Sequence, residues 1–187
     1  PPEPLTQVSQ LESRRLLLAG QGLAQGRWSL EQMLDQLGFV QLDSINAVAR
    51  AQELTLHARM PDYAHESLFD LLPQKRDFEH WTHDASMLPA ASWPFWSERF
   101  RQRGERILQS NWWRERMRPR AEEILAHVLT RLGQDGPLQS KDFSSEHKSG
   151  GGWWNWKPEK AALEYLWLSG RVSVVKRRNF QKFYDLS

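Results

Sequence analysis

Residues 158–187 read PEKAALEYLWLSGRVSVVKRRNFQKFYDLS, and their order decides the fold of the second half of the chain. Pro158 suits a first helical turn, because its missing N–H has no intrahelical partner there in any case. The spacing of Leu163, Leu166 and Trp167 predicts a helix to Ser169, and Gly170 supplies the stop. Val172, Val174, Phe180 and Tyr184 then flank the polar turn Arg177-Arg178-Asn179, which reads as a β-hairpin. Upstream, Ile124, Leu125, Val128, Leu129 and Leu132 form a helical stripe ending at Gly133. Gly136-Pro137 opens a turn, and Ser140 caps a short helix over Lys141–Ser144. The order helix, turn, helix, helix, hairpin is that of a winged helix-turn-helix, in which one helix enters a DNA groove and the hairpin touches backbone or minor groove.

Working back toward the N-terminus, Trp96–Met117 reads as an arginine-rich connector helix weakened at Gly104. Residues 78–89 are too mixed for either period and read as irregular structure. Pro61-Asp62 marks a turn, with Asp62 able to cap a short helix ending near Leu72. A helix is expected from Asn46 to His57, carrying Val48, Ala51, Leu54 and Leu56. Ser29 and Gln32 make a capping box ahead of Leu30, Met33, Leu34 and Leu37, closed by Gly38. Ser9–Ala19 reads as a first helix, closed by Gly20-Gln21-Gly22, and Gly26 adds a further break. Between Gly38 and Asn46 an extended segment places Gln41 and Asp43 on one face and Val40 and Leu42 on the other.

Composition narrows the function. The 187 residues carry 25 Lys and Arg against 23 Asp and Glu, a net charge of only +2. The charge is unevenly placed, however. Ser29–Met87 holds ten acids against four bases, Arg99–Arg120 holds eight arginines against Glu105 and Glu115, and Arg171–Tyr184 holds five bases and no acid. Two basic segments apart from an acidic one fit a polyanionic partner, although solvated helix faces give the same counts. The arginines at 99, 101, 103 and 106 do not all share one helix face. With no cysteine, thiolate zinc sites, disulfides and cysteine nucleophiles are excluded. His80 and His83 lack any HExxH context, so no metal and no cofactor are expected. No apolar run approaches the roughly 20 residues of a membrane span, and a bacterial cytoplasmic, nucleoid-associated location is the default reading. The ten tryptophans serve mainly as packing.

Three stretches carry a resemblance. They are Gln41-Leu42-Asp43-Ser44-Ile45-Asn46-Ala47-Val48-Ala49-Arg50, then His80–Pro89, then Gly152-Trp153-Trp154-Asn155-Trp156-Lys157-Pro158 continuing to Arg177-Arg178-Asn179-Phe180-Gln181 and Tyr184-Asp185-Leu186. In that order they resemble the YcaQ/AlkZ-type DNA glycosylases. The resemblance implies a mainly α chain with small β-hairpins, of α+β class, built from tandem winged helix-turn-helix domains. Residues 1–95 would be the domain with the catalytic motif, 96–118 the connector and 119–187 the second winged helix. Members run to about twice this length, so the chain, which begins at Pro1, is expected to be either the N-terminal half of such a protein or a shortened relative, a monomer acting on double-stranded DNA with alkylated bases or crosslinks.

The chemistry implied is hydrolysis of an N-glycosidic bond through an oxocarbenium-like transition state. Asp43 is the candidate general base and charge stabiliser, and Gln41 the residue that positions water. Asp43 has a second reading as the N-cap of a helix starting near Ile45. The resemblance assigns lesion or DNA contacts to Ser44, Asn46, Arg50, His83 and Ser86, with His83 equally readable as structural. Lys157 and Lys160 at the start of the last helix, and Lys176, Arg177 and Arg178 at the hairpin tip, are candidates for backbone phosphates. The alternative function is a non-catalytic winged-helix DNA-binding protein, which has no need of Gln41 and Asp43 together in a cleft. A tryptophan-rich protein-interaction domain is a third.

Overall fold

A computed structural model describes residues 7–24, 27–117, 119–143 and 158–187. The break at Gly26, the tether Gly150–Gly152, the tryptophans at 153, 154 and 156, Asn155 and Lys157 lie outside the described residues.

Local capping chemistry defines the first two helices. Helix α1 (Gln10–Gly20) starts at Ser9, whose hydroxyl accepts the Glu12 N–H while the Glu12 carboxylate accepts the Ser9 N–H. Helix α2 (Leu30–Leu37) repeats the box with Ser29 and Gln32. It ends at Gly38, at φ 77°, whose N–H is donated to the Leu34 carbonyl. Only glycine takes that left-handed conformation without a Cβ penalty. Helix α2 buries Met33 and Leu34 fully, whereas α1 buries no residue.

Strand β1 (Val40–Gln41) follows, then a loop, then α3 (Ala51–His57). The helix expected from Asn46 therefore begins five residues later. Its expected stripe is buried only at Leu56: Val48 is 92% and Leu54 53% exposed. The face turned inward carries Gln52, Glu53 and Leu56. Both polar side chains are held from outside the helix, although the buried Gln52 amide nitrogen has no partner among the described residues. The Glu53 carboxylate accepts the Tyr63 hydroxyl and the Glu66 N–H, and the Gln52 amide oxygen accepts the Asp43 N–H. A 3-10 turn at Ser67–Leu71 follows, entered at Glu66 rather than capped by Asp62.

Residues 77–89 form a β-hairpin, where 78–89 are expected to be irregular. Strands β2 (Asp77–Trp81) and β3 (Ala85–Pro89) pair antiparallel, with Glu79 opposite Met87 and His80 opposite Ser86. β1 adds to the other edge of β3, giving the order β1-β3-β2. Both hairpin strands are covered on both sides over most of their length, so the alternation that reveals a half-buried strand is absent.

The connector is two helices. α4 (Trp93–Gln109) passes straight through Gly104 and breaks at Ser110, whose hydroxyl accepts the Trp113 N–H at the start of α5 (Asn111–Met117). Gly104 is a packing glycine, because a Cβ there would stand 3.3 Å from Ser169. α6 (Ala121–Asp135) runs through Gly133 and stops at Gly136, at φ 77°. A 3-10 turn spans Ser140–Asp142, and α7 (Pro158–Leu168) ends at Gly170 as the sequence indicates. β4 (Val172–Arg178) and β5 (Gln181–Leu186) make a separate hairpin with a bulge between Val174 and Lys176. Its two-residue loop, Asn179-Phe180, has positive φ at both positions, the geometry that matches strand twist in tight hairpins.

One hydrophobic cluster joins the halves: Met33, Leu34, Leu56 and Met87 belong to the same core as Val128, Leu163, Leu166 and Trp167. The fold is thus mixed α and β, with seven α-helices and two small antiparallel sheets among the described residues. No helix among them is long and apolar enough to cross a membrane.

Candidate functional site

The period-two expectation for residues 40–43 holds. Val40 and Leu42 are 2% and 4% exposed, while Gln41 and Asp43 face the other way and are half-buried. The sheet fixes this register through pairing of Gln41 with Ser86 and through the Leu42 N–H, donated to the Ala85 carbonyl at 2.7 Å. Asp43 is then held by its backbone, whose N–H is donated to the buried Gln52 amide at 3.0 Å. One Asp43 oxygen accepts the Ile45 N–H at 2.8 Å, an Asx turn that bends the chain out of the strand. Since α3 starts only at Ala51, Asp43 is not a helix cap. Its second oxygen takes no hydrogen bond from the described residues, which leaves an acceptor free on the exposed face.

The β2–β3 turn brings His83 to the same place. His83 Nε2 lies 3.1 Å from the Gln41 amide oxygen, to which it donates, and its ring meets Phe39 edge-on at 5.8 Å. With its oxygen occupied, the Gln41 amide keeps its two N–H donors. The turn is braced from both sides. Thr82 bonds the Ser86 hydroxyl at 2.9 Å, and Arg99 from α4 donates to the Thr82 carbonyl at 2.7 Å. Gln41, Asp43 and His83 thus share one edge of the sheet, although His83 is 42 residues from Gln41 in the chain.

The remaining sequence candidates divide. Ser44 and Asn46 are exposed on the loop after Asp43. Ser86 is fully buried and braces the turn, so a direct DNA contact is not open to it. Arg50 leans inward, with its guanidinium 4.5 Å over the Phe180 ring and 3.6 Å from Glu66. Lys176 and Arg178 are exposed on the hairpin. Arg177 is not: its side chain is 4% exposed and grips the fully buried Glu79 by two bonds, of 2.6 and 2.8 Å. Lys182 completes that group at 2.9 Å from Glu79. Lys160 is the exposed residue of α7 and lines a cavity of about 350 Å³ beside Glu164, Trp167 and Lys182.

Sequence reading missed the groups that hold this region together. Burial would raise the Glu79 carboxyl, but Lys182 and Arg177 outweigh it and hold it below its ordinary range. His80, next to it, is pushed down to about 4, chiefly by burial. Its Nδ1 accepts the Trp96 indole N–H at 3.0 Å, so the proton sits on Nε2 and is donated to the Trp167 carbonyl at 3.2 Å. His80 is therefore a neutral structural link between β2, α4 and α7. Among the described residues no group of three or more histidine or carboxylate side chains is arranged to hold a metal ion.

The sheet edge brings an amide, a carboxylate and an imidazole together, and comparison with known families gives the class of protein that carries them. The family described as DNA glycosylase AlkZ-like matches residues 34–187, a span that includes Gln41, Asp43 and His83. The chain belongs to that family. Membership carries DNA binding and a DNA glycosylase function in general terms. No solved structure matches the chain.

Proposed function

We propose that the chain hydrolyses the N-glycosidic bond of N7-alkylated purines in duplex DNA, including bases joined in interstrand crosslinks. An N7-alkylated guanine already carries positive charge, so it departs without a protein acid, and what the site must supply is a base and an anion. Asp43 provides both: its free oxygen removes a proton from the attacking water while the carboxylate offsets charge growing on the sugar. Gln41 donates an N–H to the same water and is held in place by His83. The second half reads as a winged helix-turn-helix formed by α6, α7 and the β4–β5 hairpin. In this reading the DNA-facing groups are Lys176 and Arg178 on the hairpin, because α7 leaves only Lys160 exposed.

The observation that carries the proposal is the shared edge. Asp43 has an unused acceptor, and beside it the Gln41 oxygen is tied to His83 at 3.1 Å, which turns the amide donors outward. A protein that only binds DNA has no use for that arrangement. The test is release of N7-methylguanine from an oligonucleotide duplex, with Asp43→Asn beside the parent. Release by the parent, abolished in the variant while DNA affinity stays within several-fold, is the expected result. Equal release by both would remove Asp43 from the chemistry. DNA binding without release by either would return the chain to the class of non-catalytic DNA-binding proteins.

A further inference from the structure

The arginines of the connector are sorted by flank. At 100° per residue, positions 99, 103 and 106 fall within about 60° of arc on one side of α4, and Glu98, Arg101 and Glu105 fall on the other. The second flank neutralises itself, since Arg101 bonds both Glu98 and Glu105. Farther along, Arg120 pairs with Glu123, and Arg131 pairs with Asp135. The first flank has no such partner. Arg99 donates to the Trp81 and Thr82 carbonyls, Arg103 donates to the same Thr82 carbonyl, and Arg106 is exposed. None of the three meets a carboxylate among the described residues.

Two guanidinium nitrogens 2.7 and 3.3 Å from a single carbonyl oxygen lie no more than about 6 Å apart. Like charges so close repel, and one neutral acceptor does not offset them. Arg103 uses one of its five donors in that contact, and the described residues accept none of the others. Its ordinary value is lowered by burial and by the neighbouring charges of Arg99 and Arg106, so the three are felt as a group. The missing partner is an anion, and the place it would occupy adjoins the turn that carries His83.

We infer that Arg103 and Arg106, with Arg99 as the anchored root, form a strip that takes consecutive backbone phosphates of the DNA strand whose base is presented to Gln41 and Asp43. The inference rests on the function proposed above. From residue 99 to 106 the helix rises about 10 Å. Consecutive phosphates of one strand lie about twice the roughly 3.4 Å axial rise per nucleotide apart, so the strip reaches two of them. Planar guanidinium groups suit phosphate oxygens by paired donation, as lysine would not. Arg99 is a positioning residue here: it ties the strip to the Thr82 carbonyl, and through it the bound strand to the His83 turn.

The test is the salt dependence of binding of a duplex carrying N7-methylguanine, measured by fluorescence anisotropy for the parent, for Arg103→Gln with Arg106→Gln, and for Arg101→Gln. Each phosphate contact contributes about 0.9 to the slope of log affinity against log salt. The double variant is expected to lose about 1.8 from that slope and about tenfold or more in affinity at 50 mM salt. Arg101→Gln, one charge lost from the self-neutralised flank, is expected to keep the parent slope. An unchanged slope in the double variant, with parent release of N7-methylguanine intact, would overturn the strip and leave the reaction standing. No release by the parent, with the slope still lowered in the double variant, would overturn the reaction and leave the strip. A parent that does not bind DNA would overturn both.

Discussion

Glu79→Gln is the substitution that most directly tests how the two halves are joined. The carboxylate is fully buried and is bonded by Arg177 through Nε and Nη2 and by Lys182 through Nζ. Replacing it with an amide leaves one oxygen to accept and turns an NH2 group toward cationic donors. Two positive charges then stay in a site built around a negative one. Breaking a buried ion pair by removing one partner costs about 3–5 kcal/mol. In a chain of this length each kcal/mol moves the melting temperature by about 2–4 °C, so the loss is roughly 6–20 °C. Thermal unfolding followed by circular dichroism at pH 7 measures it. The pH dependence has a definite sign. Because the folded carboxyl lies below its ordinary value of 4.5, its contribution is complete above that pH and is lost as pH falls through the lower folded value. The parent should therefore lose stability more steeply in acid than the variant. A triple change of Glu79, Arg177 and Lys182 to methionine should recover most of the loss, since apolar replacement of a whole buried ion group is often near neutral. A melting temperature for Glu79→Gln within about 2 °C of the parent would refute the reasoning.

Other outcomes follow from single positions. Asp77 is pushed up to about 7, first by burial and then by Asp35 and Glu31. The folded state thus holds a proton that the unfolded chain releases above about 3.8, and stability falls as pH rises between those values. Asp77→Asn should stabilise the protein above pH 7 and change little below pH 4, as urea midpoints across pH will tell. Gly170 sits at φ 73°, and a Cβ there would stand 2.6 Å from the Phe100 ring. Gly170→Ala should cost about 2–5 kcal/mol, the sum of left-handed strain and overpacking, read from the same midpoints. Ser86→Ala removes a buried hydroxyl bonded to Thr82 at 2.9 Å and should cost about 1 kcal/mol without changing DNA affinity. A large affinity loss in binding titrations would return Ser86 to the DNA surface.

What the sequence made legible was local. Ser29 with Gln32 and the stops at Gly38 and Gly170 depend on groups within a turn of one another, and all three stand as read. The faces of Gln41 and Asp43 follow from strand period alone. The strands at 77–89 were hidden because both of their faces are covered, which erases the alternation that marks a half-buried strand. The inward face of α3 was hidden because Gln52 and Glu53 are polar, and their partners Asp43, Tyr63 and Glu66 lie outside the helix. Arg177 reads as an exposed hairpin cation until Glu79, 98 residues away, is seen beneath it. The meeting of His83 with Gln41 has no signal in spacing, and only the family resemblance pointed to both.

The tie between β2 and the last hairpin also sets a clock on how the molecule is made. Glu79 leaves the ribosome 98 residues before Arg177, and Trp167, which donates its indole N–H to the Glu79 carbonyl, follows 88 residues behind. At about 5–20 residues per second, that is an interval of roughly 5–20 s. During it the nascent chain presents a strand with an unmatched anion and a bare aromatic flank. Native structure around β2 can close only once residues 167–182 have emerged, so the segment before them forms a natural client for chaperones that hold emerging chains.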